Sequence, residues 1–162
     1  MLKIRLMRKS DLSELAKIYV EVYQNFDVGE KWNKKTAYDL IAFWFKLQPD
    51  FCFVAEYENK IVGAFVAIVK PWCDGKHLII EEIFVNPRYQ KHGVGSALTK
   101  KMFEKAIKKY NVKFVEGITF TKLKHPLSWY KSLGFREVKE WVNINGNILK
   151  ALKILQNEKN GS

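Results

Sequence analysis

Cysteine is scarce in this chain. Cys52 and Cys73 are its two cysteines, and they form neither a disulfide framework nor a metal-ligand pattern. A chain of 162 residues buries a core without such staples, so reduced thiols in the cytoplasm are the expected state. Histidine is scarce too. His77 and His92 show no ligand spacing with each other or with the cysteines, and no metal is expected. No run approaches the roughly 18 apolar residues of a membrane span. The opening MLKIRLMRKSDL lacks the long apolar centre of a signal peptide, so a soluble protein without a membrane partner is expected. There is no Pro/Gly/Ser-rich linker and no internal repeat. A single domain over residues 1–162 follows as the expectation.

What is present is apolar and basic. Hydrophobic residues make up 48% and aromatics 14%, which excludes a disordered tail. The formal net charge is +11 and the pI near 9.6. Such a surface invites anionic partners, be they nucleic acid, membrane or a phosphate-rich cofactor, without choosing among them.

The apolar pattern predicts an α/β (α+β) chain. Leu2, Ile4 and Leu6 alternate with Lys3 and Arg5 as in a half-exposed strand. Leu12, Leu15, Ile18 or Tyr19, and Val22 fall at helical spacing behind Ser10 or Asp11 as cap. A second helix is expected from about Asn33 to Leu47, before Pro49. The stretch from Asp50 to Lys70 reads as a hairpin turning at Glu58-Asn59-Lys60. After a loop with Pro71 and Gly75, KHLIIEEIFV gives a third long strand that Pro87 stops. Val94, Leu98, Met102 and Ala106 step by four along a lysine-faced helix, flanked by Ala97, Phe103 and Ile107. Another strand, VKFVEGITF, follows, then a short helix ending near Gly134, then a terminal hairpin turning at Asn145-Gly146. The expected architecture is a mostly antiparallel sheet of about seven strands with about four helices.

The segment NPRYQKHGVGSALTK sits between the third long strand and the lysine-faced helix. The first amides of a helix have no internal partner, and the helix dipole adds positive character there. Glycine at 93 and 95 lets backbone approach a bulky anion, with Arg88, Lys91 and His92 nearby. A pyrophosphate suits such a site. A strand-to-helix turn that needs glycine for its geometry alone reads equally well from these residues.

Further residues tilt that balance. Val85, Pro87, Gln90, Gly93 and Gly95 match Val-x-Pro-x-x-(Arg/Gln)-x-x-Gly-x-Gly/Ala, and Trp129, Tyr130, Gly134 and Phe135 match an aromatic-Tyr-x-x-x-Gly-Phe helix further on. With these motifs in this order, the chain resembles the GNAT superfamily of acyl-CoA-dependent N-acetyltransferases over nearly its whole length. The resemblance implies that the amides of Gln90, Lys91, His92, Gly93, Val94, Gly95 and Ser96 grip the pyrophosphate of acetyl-CoA. It implies that the backbone of Phe84 and Val85 pairs with the pantetheine arm like an added strand. Many members carry an Asn seven residues before the tyrosine, where this chain has Leu123, so that contact is lost or made differently.

Acetyl transfer to an amine requires removal of an amine proton, stabilisation of the carbonyl oxygen and protonation of the leaving thiolate. On the family pattern a backbone N–H near Phe84 or Val85 meets the oxygen and Tyr130 is the general acid. Packing on the sheet is the plainer role for such an aromatic, and Trp129 suits it better. Glu81 and Glu82 interrupt an apolar strand, where regular alternation sends them to opposite faces. A carboxylate there is costly unless solvated, paired or functional. Polyamine acetyltransferases of the superfamily carry a similar acid pair, which implies Glu81 as base and Glu82 as a substrate contact. Glu116 is the reserve base. Asp27 and Glu30, in the loop between the first two helices, suit a cationic acceptor. His125 reads as a helix-start residue. Neither cysteine has a neighbouring base for a covalent route.

The leading expectation is therefore an acetyl-CoA-dependent N-acetyltransferase acting on a primary amine by direct transfer in a ternary complex. The acceptor is expected to be a small molecule, with no nucleic acid partner and a possible homodimer. A protein N-terminal or lysine acetyltransferase is the nearest alternative. A non-catalytic CoA-binding domain and a nucleic-acid-binding module are the others. The helix LTKKMFEKAIKK offers lysines without the arginines that base readout favours.

Overall fold

Alternating apolar residues make the first strand, β1 (Leu2–Leu6). The computed structural model describes residues 1–24, 26 and 29–158, with 124, 157 and 158 by backbone alone. After β1 come α1 (Leu12–Tyr23), α2 (Lys34–Leu47), β2 (Cys52–Tyr57), β3 (Lys60–Trp72), β4 (Gly75–Val85), α3 (Val94–Tyr110), β5 (Phe114–Gly117), α4 (Lys124–Ser132) and α5 (Ile148–Glu158). The chain divides into two compact units, Met1–Lys122 and Leu123–Ser162.

The first unit holds a five-stranded sheet in the order β1-β2-β3-β4-β5. Its first four strands are antiparallel, and β5 joins β4 in parallel. Both faces are buried, which is why the strands read as continuous apolar runs. Cys52, Val54, Ala64, Val66 and Phe84 share one core with Leu12, Leu15, Ile18, Tyr19 and Val22 of α1 and Ala37 and Ile41 of α2. The alternate residues Phe53, Ala55, Phe65 and Ala67 are as deeply buried, on the face that α3 covers. That helix buries Val94, Leu98, Met102 and Ala106, one residue per turn. Ile107 beside them is exposed. Asn111, in the left-handed region at φ 53°, ends α3.

Local chemistry sets several boundaries. Asn33 caps α2, its side chain accepting from the Thr36 amide at 3.0 Å. Asp11 does not cap α1 as its position suggested. It is buried, and the Arg5 guanidinium grips both of its carboxylate oxygens at 2.7 and 3.0 Å. That pairing, with the Arg8 amide, holds the Asp11 carboxyl below its ordinary range against the opposing effect of burial. The hairpin turn at Glu58 and Asn59 falls where expected, both residues in the left-handed region. Strand β3 runs through Pro71 rather than ending before it. Pairing with β2 stops at Val66, so Pro71 removes no ladder bond on that side.

The second unit differs more from expectation. No strand forms among the described residues after Phe135, and the stretch expected to be the last strand is helix α5. The sheet therefore has five strands rather than about seven. The reason lies in spacing and composition. Ile148, Leu149, Leu152 and Leu155 recur at the helical period among Lys, Ala and Gln, all good helix formers. Asn147 accepts from the Lys150 amide at 3.0 Å and caps that start.

Candidate active site

Strand β4 is irregular where its chemistry lies. Val66 pairs with Glu82 and Ala67 with Ile80, so Glu81 is the extra residue of a β-bulge. The strict alternation that would send Glu81 and Glu82 to opposite faces is broken there. The β5 partnership also stops at this point, with Ile80 opposite Gly117 as the last pair. From Glu81 to Val85, β4 has no paired strand on its β5 side among the described residues.

Helix α1 brings aromatic side chains to Glu82. Tyr19 and Tyr23, one helical turn apart, stack with ring centroids 4.3 Å apart. The Tyr23 hydroxyl donates to Glu82 Oε2 at 3.0 Å. Tyr19 meets Trp32 and Phe84 edge-on, both at 5.1 Å. Tyr23 meets Phe26 at 5.6 Å and Phe120 at 6.4 Å. These offset and edge geometries are the favourable ones for aromatic pairs. Trp32 donates from its indole nitrogen to Glu30 Oε2 at 2.7 Å. Glu30, singled out in the sequence, thus belongs to the cluster; Asp27 lies outside the described residues.

The electrostatics follow from this packing. Burial pushes the Glu82 carboxyl up to about 7, against the Tyr23 and Tyr19 hydroxyls that favour its charged form. Glu30 and Glu81 push it the same way as burial, by like-charge repulsion. Burial also raises Glu81, which Lys70 partly offsets. Both tyrosine hydroxyls are raised, first by burial and then by the Glu82 charge.

The glycine turn is ordered by its own polar groups. Gln90 donates from its side chain to the Val85 carbonyl at 3.0 Å, tying the turn to the end of β4. His92 Nδ1 donates to the Gln90 carbonyl at 2.7 Å. Lys91 and Gly93 both take left-handed backbone, at φ 63° and 77°. Gly93 opens α3 without a side-chain cap, and a Cβ there would meet nothing within 4 Å. The amides of Val94, Gly95 and Ser96 begin the helix, and Lys91, His92 and Ser96 are exposed. An uncapped helix start beside open space is suited to an anion. Phe84 is buried and Val85 partly so.

Tyr130 belongs to the second unit. Its ring packs against Trp129 at 5.0 Å and Phe135 at 5.2 Å. The Phe135 amide returns to the Tyr130 carbonyl at 3.1 Å, with Gly134 in the left-handed region at φ 88°. His125 is extended and kinks α4, with Pro126 following it in the first turn of the continuing helix.

Glu116 is engaged elsewhere. His77, only 6% exposed, faces Glu116 with Nδ1 and Asp74 Oδ1 with Nε2, the latter at 2.7 Å. A ring that donates from both nitrogens is an imidazolium. Glu116 foremost, and Asp74 with it, raise the His77 pKa above 6.5 despite burial. The stabilisation is complete below pH 6.5 and is lost as pH rises through the folded value. His77→Gln is therefore expected to cost stability at pH 6 and progressively less toward pH 9. A gap in melting temperature that stays constant over that range would rule out the charged clamp. Cys52 is buried, its thiol pushed up to about 12 by burial, whereas Cys73 is exposed.

The first unit thus combines an α/β sheet bounded by helices, a β4 edge open past Ile80, an uncapped helix start and a carboxylate among aromatic rings. Residues 12–135 match the acetyltransferase (GNAT) family, and the chain belongs to that family. It is 35% identical over 148 residues to an uncharacterized N-acetyltransferase of Methanocaldococcus jannaschii, covering 87% of this chain and 65% of the relative. The chain thus spans a little under two thirds of that protein's length. It is 28% identical over 149 residues to thialysine N-epsilon-acetyltransferase of Mus musculus, covering 85% of this chain and 86% of the other. A solved structure of a possible acetyltransferase from Clostridium difficile superposes with a TM-score of 0.76 at 17% identity, over 91% of this chain and 99% of that one. At that identity the likeness is one of fold.

Read alone, the sequence assigns no site role to Tyr19, a position of the first helix's apolar face, or to Tyr23, Phe26, Trp32 and Phe120. Tyr19 and Tyr23 had a readable signal, because residues four apart share a helix face. Trp32 and Phe120 reach the cluster only through the chain's path.

Proposed function

We propose that this chain transfers an acetyl group from acetyl-CoA to a primary amine in a ternary complex, and that the acceptor is a small cationic molecule. The observation that carries this reading is a partly buried Glu82, raised to about 7, within an aromatic cluster that also holds Glu30. A carboxylate with a pKa near neutrality is matched to taking a proton from an ammonium group. Aromatic faces and two carboxylates together suit an alkylammonium group and its apolar stem.

The family pattern implies Glu81 as base and Glu82 as a substrate contact. The hydrogen bond from Tyr23 and the deeper desolvation favour Glu82 as base, leaving bulged Glu81 and Glu30 to complement the acceptor's charge. The turn from Gln90 to Ser96 fits a pyrophosphate, because its helix start is uncapped and Gly93 faces open space. The stretch of β4 through Phe84 and Val85, paired with β3 but past the end of its β5 pairing, suits an extended arm. Acetyl-CoA supplies the thioester whose acyl carbon the amine nitrogen attacks. Glu82 accepts the amine proton, backbone near Phe84 or Val85 meets the carbonyl oxygen, and the carbon–sulfur bond breaks. Tyr130 returns a proton to the sulfur, an assignment that rests on the family motif.

The test is thiol release from acetyl-CoA against a panel of diamines and polyamines, aminoglycosides, amino acids and peptides. Turnover confined to small cationic amines is expected. Release only with peptides would move the acceptor to proteins. No release with any amine, together with no thermal stabilisation by acetyl-CoA, would end the reading.

A further inference from the structure

Tyr23 is placed unlike a core tyrosine. Its ring is fixed from several sides, stacked on Tyr19 at 4.3 Å and edge-on to Phe26 at 5.6 Å, Trp32 at 6.4 Å and Phe120 at 6.4 Å. Such packing leaves the ring little freedom, and the hydroxyl ends on one particular atom, Glu82 Oε2 at 3.0 Å. Glu82 sits next to the bulge, where the strand's own alternation does not fix its direction. An aromatic frame around Tyr23 of α1 thus supplies the orientation that the irregular strand does not.

We infer that Tyr23 is a positioning residue for the general base: its hydroxyl holds one carboxylate oxygen of Glu82, so that the remaining lone pairs stay directed at the acceptor's amine proton. This inference rests on the reading of Glu82 as base. A neutral hydroxyl can play this part because burial and the Glu82 charge both hold Tyr23 in its protonated form. Donation to a carboxylate favours its ionised state, so Tyr23 also works against the burial that would otherwise keep Glu82 protonated. The groups acting on Glu82 are Tyr19 and Tyr23 of α1, Glu30 after α1, and Glu81 on β4 itself, with Lys70 of β3 acting on Glu81. Of these, the Tyr23 hydroxyl donates to Oε2 at 3.0 Å, and the Tyr19 hydroxyl also favours the charged carboxylate.

The test is Tyr23→Phe, which keeps the ring and its packing and removes only the hydroxyl. Glu82 is followed by carbon-13 titration of its carboxyl, and kcat/KM is followed from about pH 5.5 to 9 with the fastest amine of the panel, a range that brackets the Glu82 midpoint of about 7. The carboxyl titration and the acid limb of the rate profile are expected to move up together by about one pH unit, the worth of one hydrogen bond to a charged group. The rate near pH 6 then falls roughly tenfold, more than at pH 9. Unmoved midpoints in a folded Tyr23→Phe, with Glu82→Gln inactive, overturn the role of Tyr23 and leave the base in place. A fully active Glu82→Gln overturns the base and this inference with it.

Discussion

Glu82→Gln is expected to lower kcat by about a hundred- to ten-thousand-fold, the usual contribution of a positioned general base, while making the protein more stable at pH 8. The two effects have one cause. Burial among aromatic rings raises the Glu82 carboxyl from its ordinary 4.5 to about 7. Between those values the folded state holds a proton that the unfolded chain has released. Stability therefore falls as pH rises from about 4.5 to about 7, by the linkage between proton binding and folding. At pH 8 the native protein carries the full cost of a desolvated charge, which glutamine removes while it can still accept from Tyr23. The melting temperature of Glu82→Gln should exceed the parent's at pH 8, and the gap should close toward pH 4.5. In the parent, kcat/KM should rise with pH through about 7 as the base ionises. Thiol release and thermal melts on the same two proteins check both halves. A glutamine variant that keeps full turnover, or that melts lower than the parent at pH 8, contradicts the assignment.

Gly63→Ala should destabilise the first unit by about 1–3 kcal/mol, the range for overpacking a well-filled core. Gly63 pairs with Val85, and Ala64 with Phe84. A Cβ on Gly63 would lie 2.6 Å from the Phe84 carbonyl oxygen and 3.1 Å from Val85 Cα. Both are backbone atoms, so relief requires β4 itself to move rather than one side chain to rotate. The end of β4 is tied further along. The Asn86 amide donates to the Val62 carbonyl at 2.8 Å, and Gln90 to the Val85 carbonyl at 3.0 Å. A shift at Phe84 and Val85 therefore reaches the turn that opens α3. Denaturant unfolding should show a lower midpoint with an unchanged slope, and acetyl-CoA should stabilise the variant less than the parent. An unchanged midpoint would mean that β4 yields without cost.

Much of the first unit was legible because its signals are local. The alternation in Leu2–Leu6, the turn at Glu58-Asn59 and the four-residue step from Val94 to Ala106 depend only on neighbours along the chain. The terminal segment was harder. A short apolar run such as ILKALKIL fits a strand nearly as well as a helix, and the Asn145-Gly146 pair favoured the hairpin. The capping side chain of Asn147 goes with the helical outcome. Glu116 lies in the fifth strand, where the family pattern allows a reserve base. Its engagement with His77, 39 residues earlier, follows from β4 and β5 lying side by side.

The sequence by itself determined the family, the order of elements through the fourth helix and the glycine turn before α3, since each is written in motifs and periods. It also marked the acid pair as costly within an apolar strand. Only the tertiary structure decided how that pair is held, Glu81 in a bulge and Glu82 bonded to Tyr23. The bulge at Glu81 is a property of how β4 registers on β3, and register depends on two strands at once. The raised carboxyl of Glu82 comes from rings brought in by α1 and its following loop. A carboxylate's pKa is set by what surrounds it in space, and the chain order of Tyr19, Tyr23, Trp32 and Glu82 carries no record of that enclosure.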